Sequence, residues 1–211
     1  MQSKVPNILL IHGNSVGINF PIRKAQTKNG SFEAFDGMID SGKAQLFLWA
    51  NVNENFNWSQ TLNPFEFKRQ YDQEKNYVNS QEAINSLSTF LSQNPNIDTI
   101  IAHSMGCQYV LNCLQQSPNS FENIHSIHLC SADVDCSYNI NPIQKPISIY
   151  NYYIPFDPML ALSVIRNGNI RAGSCGLKDG KDNNIKNIIW TDYHPNIHQS
   201  IIRSRRFAST F

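Results

Sequence analysis

The fold is decided by residues 97–116, which read Ile-Asp-Thr-Ile-Ile-Ala-His-Ser-Met-Gly-Cys-Gln-Tyr-Val-Leu-Asn-Cys-Leu-Gln-Gln. The short apolar run at 97–102 has the length and the β-branched content of a strand buried in a parallel sheet. From 105 to 116, apolar side chains recur at the spacing of one helical face. Because so few residues separate the two patterns, Ser104 must lie in a very tight turn from strand to helix.

Small residues flank this turn at the positions where strand and helix approach each other. Ala102 lies two residues before Ser104, and Gly106 lies two residues after it. This small-x-Ser-x-small pattern is a form of the nucleophile elbow, in which the bend exposes a serine hydroxyl and directs a helix N-terminus at it. The alternative is a serine that only caps the helix. The acid and base candidates further along the chain favour a nucleophile.

The bulk composition indicates one globular domain, residues 1–211, and argues against several classes of function. Hydrophobic residues make up 41% and charged residues 16%, with a net charge of +1. This balance gives no electrostatic case for binding nucleic acid. We find no apolar run long enough for a transmembrane segment or a signal-peptide core. The five cysteines, odd in number, are expected to be reduced thiols of a cytoplasmic protein; the oligomeric state stays open.

Apolar runs and helical periodicity predict the remaining elements. We expect strands at 5–11, 44–49, 124–131, 147–153 and 185–193. We expect helices within 20–42, at 69–93, at 159–167 and from about residue 199, with loops at 51–67 and 168–180.

The first strand ends in His12-Gly13-Asn14, a sequence suited to an oxyanion hole. Gly13 lets the backbone bend, and the backbone N–H of Asn14 can then point at a developing oxyanion beside the N–H of Met105. An ordinary glycine turn after a strand is the alternative.

The acid candidates follow the strands that come after Ser104. Asp157 follows the strand at 147–153 and precedes the last strand, whereas Asp133 and Asp135 follow the strand directly after the elbow. We favour Asp157, with Asp133 or Asp135 as alternatives. Helix capping is the structural role that any of them could fill instead.

Two late histidines are candidates for the base. His198 lies a few residues beyond the last strand, and His194 follows that strand directly. We prefer His198, since the longer loop gives reach back to Ser104, and keep His194 as the alternative. His103, next to the nucleophile, is expected to point elsewhere. No Cys-x-x-Cys or His-Glu-x-x-His spacing supports a metal site.

Together these residues resemble the α/β-hydrolase superfamily, in particular serine esterases and lipases. The chain order Ser, Asp, His is that of the superfamily's triad. The narrower resemblance is to small, poorly characterised bacterial α/β hydrolases. The superfamily resemblance is carried by Ile-His-Gly-Asn at 11–14, Ala-His-Ser-Met-Gly at 102–106, Asp-Pro-Met-Leu at 157–160 and His198. The narrower one adds Leu-Phe-Leu-Trp at 46–49, Tyr71 and Ala-Gly-Ser-Cys-Gly-Leu at 172–177 to the His-Ser-Met-Gly and Asp-Pro-Met-Leu motifs.

This resemblance implies an α/β fold with a mostly parallel central sheet and helices on both faces. The short stretch between the predicted strands at 124–131 and 147–153 leaves little room for a large lid, so we expect the lid to be small or absent. The resemblance also implies an acyl-enzyme mechanism without a cofactor. We therefore expect a serine hydrolase that acts on a small-molecule carboxylic ester, with Ser104, His198 and Asp157 as triad. An acyltransferase or thioesterase would use the same residues. A scaffold that has lost catalysis and binds a ligand or a protein is a further alternative, which a long distance between Ser104 and both late histidines would favour.

Overall fold

The computed structural model describes residues 7–13, 32–49, 64–140, 147–178 and 184–211, without the side chains at 64–67 and 70. None of the helices in these ranges has the length and apolar character needed to cross a bilayer.

The centre of the protein is a sheet of six parallel strands. Their order across the sheet is β2-β1-β3-β4-β5-β6. The strands are β1 (Ile8–Ile11), β2 (Ala44–Phe47), β3 (Thr99–His103), β4 (Ser126–Cys130), β5 (Ser148–Tyr153) and β6 (Ile185–Ile189). Because every neighbouring pair is parallel, all carboxyl ends lie along one edge, where α/β sheets bind ligands.

Helices connect the strands. They are α1 (Asp36–Asp40), α2 (Pro64–Val78), α3 (Gln81–Gln93), α4 (Met105–Gln116), α5 (Pro158–Asn167), α6 (Ala172–Cys175) and α7 (Arg205–Ala208). Short 3-10 turns lie at Glu33–Phe35, Pro118–Phe121 and Ile197–Gln199.

Two apolar clusters cover the two faces of the sheet, because successive residues of a strand point to opposite sides. In β1, Leu9 and Ile11 join the cluster formed with α2, α3 and α4. Ile8 and Leu10 join the second cluster, which contains Phe35 and residues of the C-terminal segment. All four β1 side chains are at most 2% exposed, as expected for a continuous apolar strand at the centre of a sheet.

The predicted fold class is therefore confirmed: a parallel sheet with helices packed on both faces. The helix after Ser104 has the predicted bounds, and the strands agree to within a few residues at each end. Positions 5 and 6 of the first predicted strand lie outside the described residues.

The single helix predicted over 69–93 is wrong: the structure has two helices there. Ser80 has extended backbone angles (φ −84°, ψ 154°) and caps α3, since its side chain accepts a 3.2 Å hydrogen bond from the N–H of Ala83. The apolar stripe continues across the break, which is why periodicity alone joined the two helices.

Other predicted connections also differ. The loop at 51–67 ends earlier, because α2 begins at Pro64, a residue suited to the first helical position; positions 51–63 lie outside the described residues. Within 20–42, α1 is short, and 20–31 is outside the description. The predicted loop at 168–180 contains α6, and the final helix is a 3-10 turn at Ile197–Gln199 followed by the separate helix α7. The stretch between the strands β4 and β5, where we expect no large lid, includes positions 141–146, which lie outside the described residues.

Candidate active site

Ser104 lies at the bend between β3 and α4. Its backbone angles are φ 53° and ψ −122°, a conformation that costs an L-residue on the order of 1–3 kcal/mol. Although Ser104 occupies the N-cap position of α4, its side chain makes no capping hydrogen bond. Helix capping, the alternative role for this serine, is therefore not what its hydroxyl does.

The end of β1 lies very close to the turn at Ser104, which explains why Gly13 and Gly106 are glycines. A Cβ at Gly106 would lie 2.3 Å from the carbonyl oxygen of His12, and a Cβ at Gly13 would lie 2.7 Å from the Cβ of Ser104. Real atoms do not come so close, so glycine is required at both positions. The sequence predicts a small residue at 106 for the approach of α4 to the preceding strand, β3; the atoms that require glycine there belong instead to the end of β1.

His198 is the imidazole next to the Ser104 hydroxyl. Its Nε2 lies 2.9 Å from Oγ of Ser104, and its Nδ1 lies 2.7 Å from Oδ2 of Asp157. The His198 side chain is 12% exposed and that of Asp157 is fully buried. These three residues come from the ends of β3 and β5 and from the C-terminal segment, and the fold brings them together in one chain of hydrogen bonds.

The Asp157 carboxylate serves two partners with its two oxygens. Oδ2 contacts His198, while Oδ1 accepts hydrogen bonds from the N–H groups of Met159 (3.0 Å) and Leu160 (3.2 Å) at the start of α5. Asp157 is thus the N-cap of α5. Capping and contact with the histidine, which the sequence presented as alternatives, occur in the same side chain.

This arrangement fixes which nitrogen of His198 carries a hydrogen. A carboxylate oxygen only accepts hydrogen bonds, so the hydrogen sits on Nδ1. Nε2 then presents its lone pair to the Ser104 hydroxyl, the geometry in which an imidazole can take up a proton from serine.

The alternative acids lie elsewhere. Oδ1 of Asp133 accepts a 2.6 Å hydrogen bond from Nε of Arg171, and its Oδ2 accepts one of 2.7 Å from the Tyr71 hydroxyl. The Asp133 and Arg171 side chains are each 5% exposed. Burial, followed by the charge of Asp133, raises the pKa of Tyr71 to about 12. Asp135 accepts hydrogen bonds from the backbone and hydroxyl of Ser137 in its own turn.

Asp133 nevertheless contacts the elbow through its backbone. Its N–H donates a 3.1 Å hydrogen bond to the carbonyl of Ser104. The turn that carries Asp133 is therefore bonded to the backbone of Ser104, while the Asp133 carboxylate pairs with Arg171 and not with His198.

The alternative base, His194, is engaged in its own turn. Its Nδ1 accepts a 3.0 Å hydrogen bond from the N–H of Asn196, and its own N–H donates to the Ser200 hydroxyl. His103 does not point away from the site, which corrects the expectation from the sequence. Its Nε2 lies 2.9 Å from the backbone carbonyl oxygen of His198.

The predicted oxyanion donors are the backbone N–H groups of Met105 and Asn14. Met105 is the first residue of α4, so its N–H belongs to the first turn, where intrahelical acceptors are lacking. Asn14 lies outside the described residues. Within the ranges described, no three His, Cys, Asp or Glu side chains are grouped as metal ligands.

Most of the chain matches one known protein family. Residues 32–210 match the family described as "Alpha/beta hydrolase of unknown function (DUF900)". The chain belongs to this α/β-hydrolase family. Ser104, Asp157 and His198 all lie within the matched region, whereas His12 and Gly13 precede it.

A solved structure described as "Crystal Structure of a Thermostable Esterase" is similar to this α/β hydrolase at 12% identity, with a TM-score of 0.38. The match covers 99% of this chain and 54% of the other, so the chain spans about half the length of that esterase. A comparison with curated proteins gave no significant match.

Two residues around the site of this α/β hydrolase, His103 and Arg171, are absent from the set predicted from the sequence. His103 could have been found from strand alternation, which places it on the same face of β3 as Ile101 and therefore towards the C-terminal segment. The role of Arg171 had no local signal, because its partner Asp133 lies 38 residues away along the chain.

Proposed function

We propose that this α/β hydrolase is a serine hydrolase that cleaves carboxylic esters through an acyl-enzyme. The observation that carries the proposal is the pair of hydrogen bonds at His198, 2.9 Å to Ser104 and 2.7 Å to Asp157. The short distance to Ser104 also counts against a scaffold that has lost catalysis.

In the first half of the proposed reaction, His198 Nε2 removes the proton of the Ser104 hydroxyl as Oγ attacks the acyl carbonyl. The Asp157 carboxylate keeps the ring in the required tautomer and stabilises the imidazolium. The N–H of Met105, with that of Asn14 as predicted partner, donates to the oxyanion. His198 then gives its proton to the leaving alkoxide, and the C–O bond breaks to leave an acyl-Ser104 ester.

In the second half, water replaces the alcohol. His198 takes a proton from the water as its oxygen attacks the acyl carbonyl, and then returns that proton to Ser104 Oγ as the acid leaves. An alcohol or thiol acceptor in place of water would give acyl transfer with the same residues. Product analysis in the presence of added methanol or thiol distinguishes these outcomes.

The first experiment is labelling with a fluorophosphonate probe, which reacts with an activated serine. We expect the wild type to be labelled and Ser104→Ala to remain unlabelled. Ser131→Ala is the matched control, because Ser131 also follows a strand with a positive φ (48°) and is buried. In the described part of the chain its hydroxyl has no hydrogen-bond partner, so this variant should be labelled like the wild type. An unlabelled wild type, or equal labelling of Ser104→Ala, would refute the proposal.

The second experiment measures hydrolysis of p-nitrophenyl acetate. We expect turnover by the wild type and a loss of about 10⁴-fold or more in Ser104→Ala. Hydrolysis that is insensitive to this substitution would show that the activity arises elsewhere.

A further inference from the structure

His103 lies beneath the segment that carries His198. It is the last residue of β3 and is 3% exposed. Its Nε2 lies 2.9 Å from the His198 carbonyl oxygen, and the two ring centroids are 4.8 Å apart. His103 therefore contacts both the backbone and the ring of His198.

The partner fixes the state of the His103 ring. A carbonyl oxygen only accepts hydrogen bonds, so Nε2 carries the hydrogen. Nδ1 is buried and has no partner among the described residues. Burial, with a smaller contribution from the nearby His198, lowers the pKa of His103 to about 3. His103 is thus a neutral donor with a single hydrogen bond to give, and that bond goes to His198.

Few hydrogen bonds hold the backbone around His198 in the described part of the chain. The 3-10 turn that carries His198 is only three residues long. Its turn hydrogen bonds run from Gln199 to the carbonyl of Asn196 and from Ser200 to the carbonyl of Ile197. Neither of them uses the carbonyl of His198, which accepts from His103.

We propose that His103 is a positioning residue: its Nε2–H holds the His198 carbonyl and thereby keeps the His198 ring between Asp157 and Ser104. The consequence for catalysis rests on the function proposed above. An imidazole that must reach one oxygen at 2.7 Å and another at 2.9 Å tolerates little movement of its backbone. A misplacement of about 1 Å at a reacting group can cost on the order of 100-fold in rate.

Two substitutions of His103 distinguish the effect of its hydrogen bond from the effect of the volume that its ring fills. His103→Leu removes the donor and keeps apolar volume, whereas His103→Gln places an amide N–H near the position of Nε2. The matched control is His128→Leu, which removes another buried histidine of the same sheet. The hydrogen bonds of His128 go to Tyr152 and Ser126 rather than to the triad.

Reactivity is measured as the second-order rate constant for fluorophosphonate labelling, corrected for the folded fraction by circular dichroism. We expect His103→Leu to react about 10- to 100-fold more slowly than the wild type. His103→Gln should recover most of that loss, and His128→Leu should react within about twofold of the wild type because its site is intact. With p-nitrophenyl acetate the loss should fall on kcat rather than KM. A wild-type rate for His103→Leu, or no recovery in His103→Gln, overturns the proposal.

A second readout does not depend on catalysis. The proton on His198 Nδ1, hydrogen-bonded to Asp157, should give a low-field proton resonance in NMR spectra. We expect this resonance to shift or broaden in His103→Leu, and to keep its wild-type position in His103→Gln and His128→Leu. If the wild type fails to react with the probe, the proposed function fails, and the resonance alone decides whether His103 positions His198. An unchanged resonance in His103→Leu then overturns the proposal.

Discussion

Asp157 and His198 are joined by a 2.7 Å hydrogen bond that uses only one oxygen of the carboxylate. The other oxygen accepts from two backbone N–H groups at the start of α5. The same side chain therefore orients the imidazole and caps a helix. Because the two roles use different oxygen atoms, substitutions can separate them.

Asp157→Asn should abolish most of the activity while leaving the helix capped. Asparagine caps helices as well as aspartate does, so we expect a stability loss below about 1 kcal/mol. An amide cannot hold the His198 tautomer in the same way, and activity per folded molecule should fall by about 10³- to 10⁴-fold. Ester hydrolysis and urea unfolding of the same preparation give both values.

Asp157→Ala supplies the comparison for this prediction. It should lose activity to a similar extent and in addition lose about 1–2 kcal/mol of stability, because the cap is removed. Equal stabilities of the alanine and asparagine variants would contradict the capping role, and an active asparagine variant would contradict the orienting role.

Gly106→Ala should destabilise the protein strongly. The added Cβ would lie 2.3 Å from the carbonyl oxygen of His12 and 2.8 Å from that of Ile11, and neither backbone atom can move without shifting β1. We expect the free energy of unfolding to fall by about 1–3 kcal/mol, the usual range for overpacking, or by more. Urea unfolding measures it, and a Gly106→Ala protein as stable as the wild type would contradict the close approach seen at the elbow.

Gly37→Ala is the control for this substitution. Gly37 lies in α1, and a Cβ there would meet nothing within 4 Å. Replacing a glycine inside a helix by alanine should stabilise the protein by about 0.5–1 kcal/mol. The two alanine substitutions should therefore change the free energy of unfolding in opposite directions.

The sequence is informative about this site where the determining contacts are local. The elbow could be predicted because a strand, a serine between small residues and a helix follow one another within 20 positions of the chain. The position of Asp157 after the predicted strands favours it as the acid but leaves Asp133 open, because β4 and β5 are neighbours whose carboxyl ends share one edge. What separates the two aspartates is their partners, His198 and Arg171, which are remote in sequence.

The prediction of one continuous helix over 69–93 is wrong for a related reason. Periodicity reports which residues face the core, and that face continues from α2 into α3. The break depends instead on one capping side chain, Ser80, whose role becomes visible only with its extended backbone and its bond to Ala83. Core patterning and helix termination are separate physical signals, and only the first is strong in this stretch.

The Asp133–Arg171 pair should be required for stability and not for the chemical step. Removing either partner leaves the other charge buried, which typically costs about 3–5 kcal/mol. Asp133→Asn and Arg171→Met should each show such a loss in urea unfolding. The double variant should be more stable than the sum of the single losses predicts, since no unpaired charge remains.

Activity measurements distinguish this ion pair from the proposed triad. At a temperature where Asp133→Asn is folded, its activity per folded molecule should stay within about tenfold of the wild type, far above that of Asp157→Asn. A loss in Asp133→Asn as large as that in Asp157→Asn would reassign the acid to Asp133.

Buried neutral histidines should make the protein sensitive to mild acid. Burial lowers the pKa of His12 and His128 to about 4, and that of His103 to about 3, from an ordinary value of 6.5. In the unfolded chain these rings take up protons near pH 6.5, whereas in the folded protein they stay neutral until the pH is far lower. Between these values the unfolded chain binds more protons, so acid favours unfolding. Their contribution to stability is complete above pH 6.5 and is lost as the pH falls towards 4 and then 3.

Each such histidine adds up to about 1.4 kcal/mol per pH unit to the slope of unfolding free energy against pH. Urea unfolding between about pH 7 and 5 measures that slope. His128→Phe removes one titrating ring and keeps an aromatic ring against Tyr150, which stacks on His128 at 4.8 Å. Its slope should be shallower than that of the wild type, and the difference should approach one proton as the pH falls towards about 5. Equal slopes for the wild type and His128→Phe would mean that His128 is not held neutral in the folded protein.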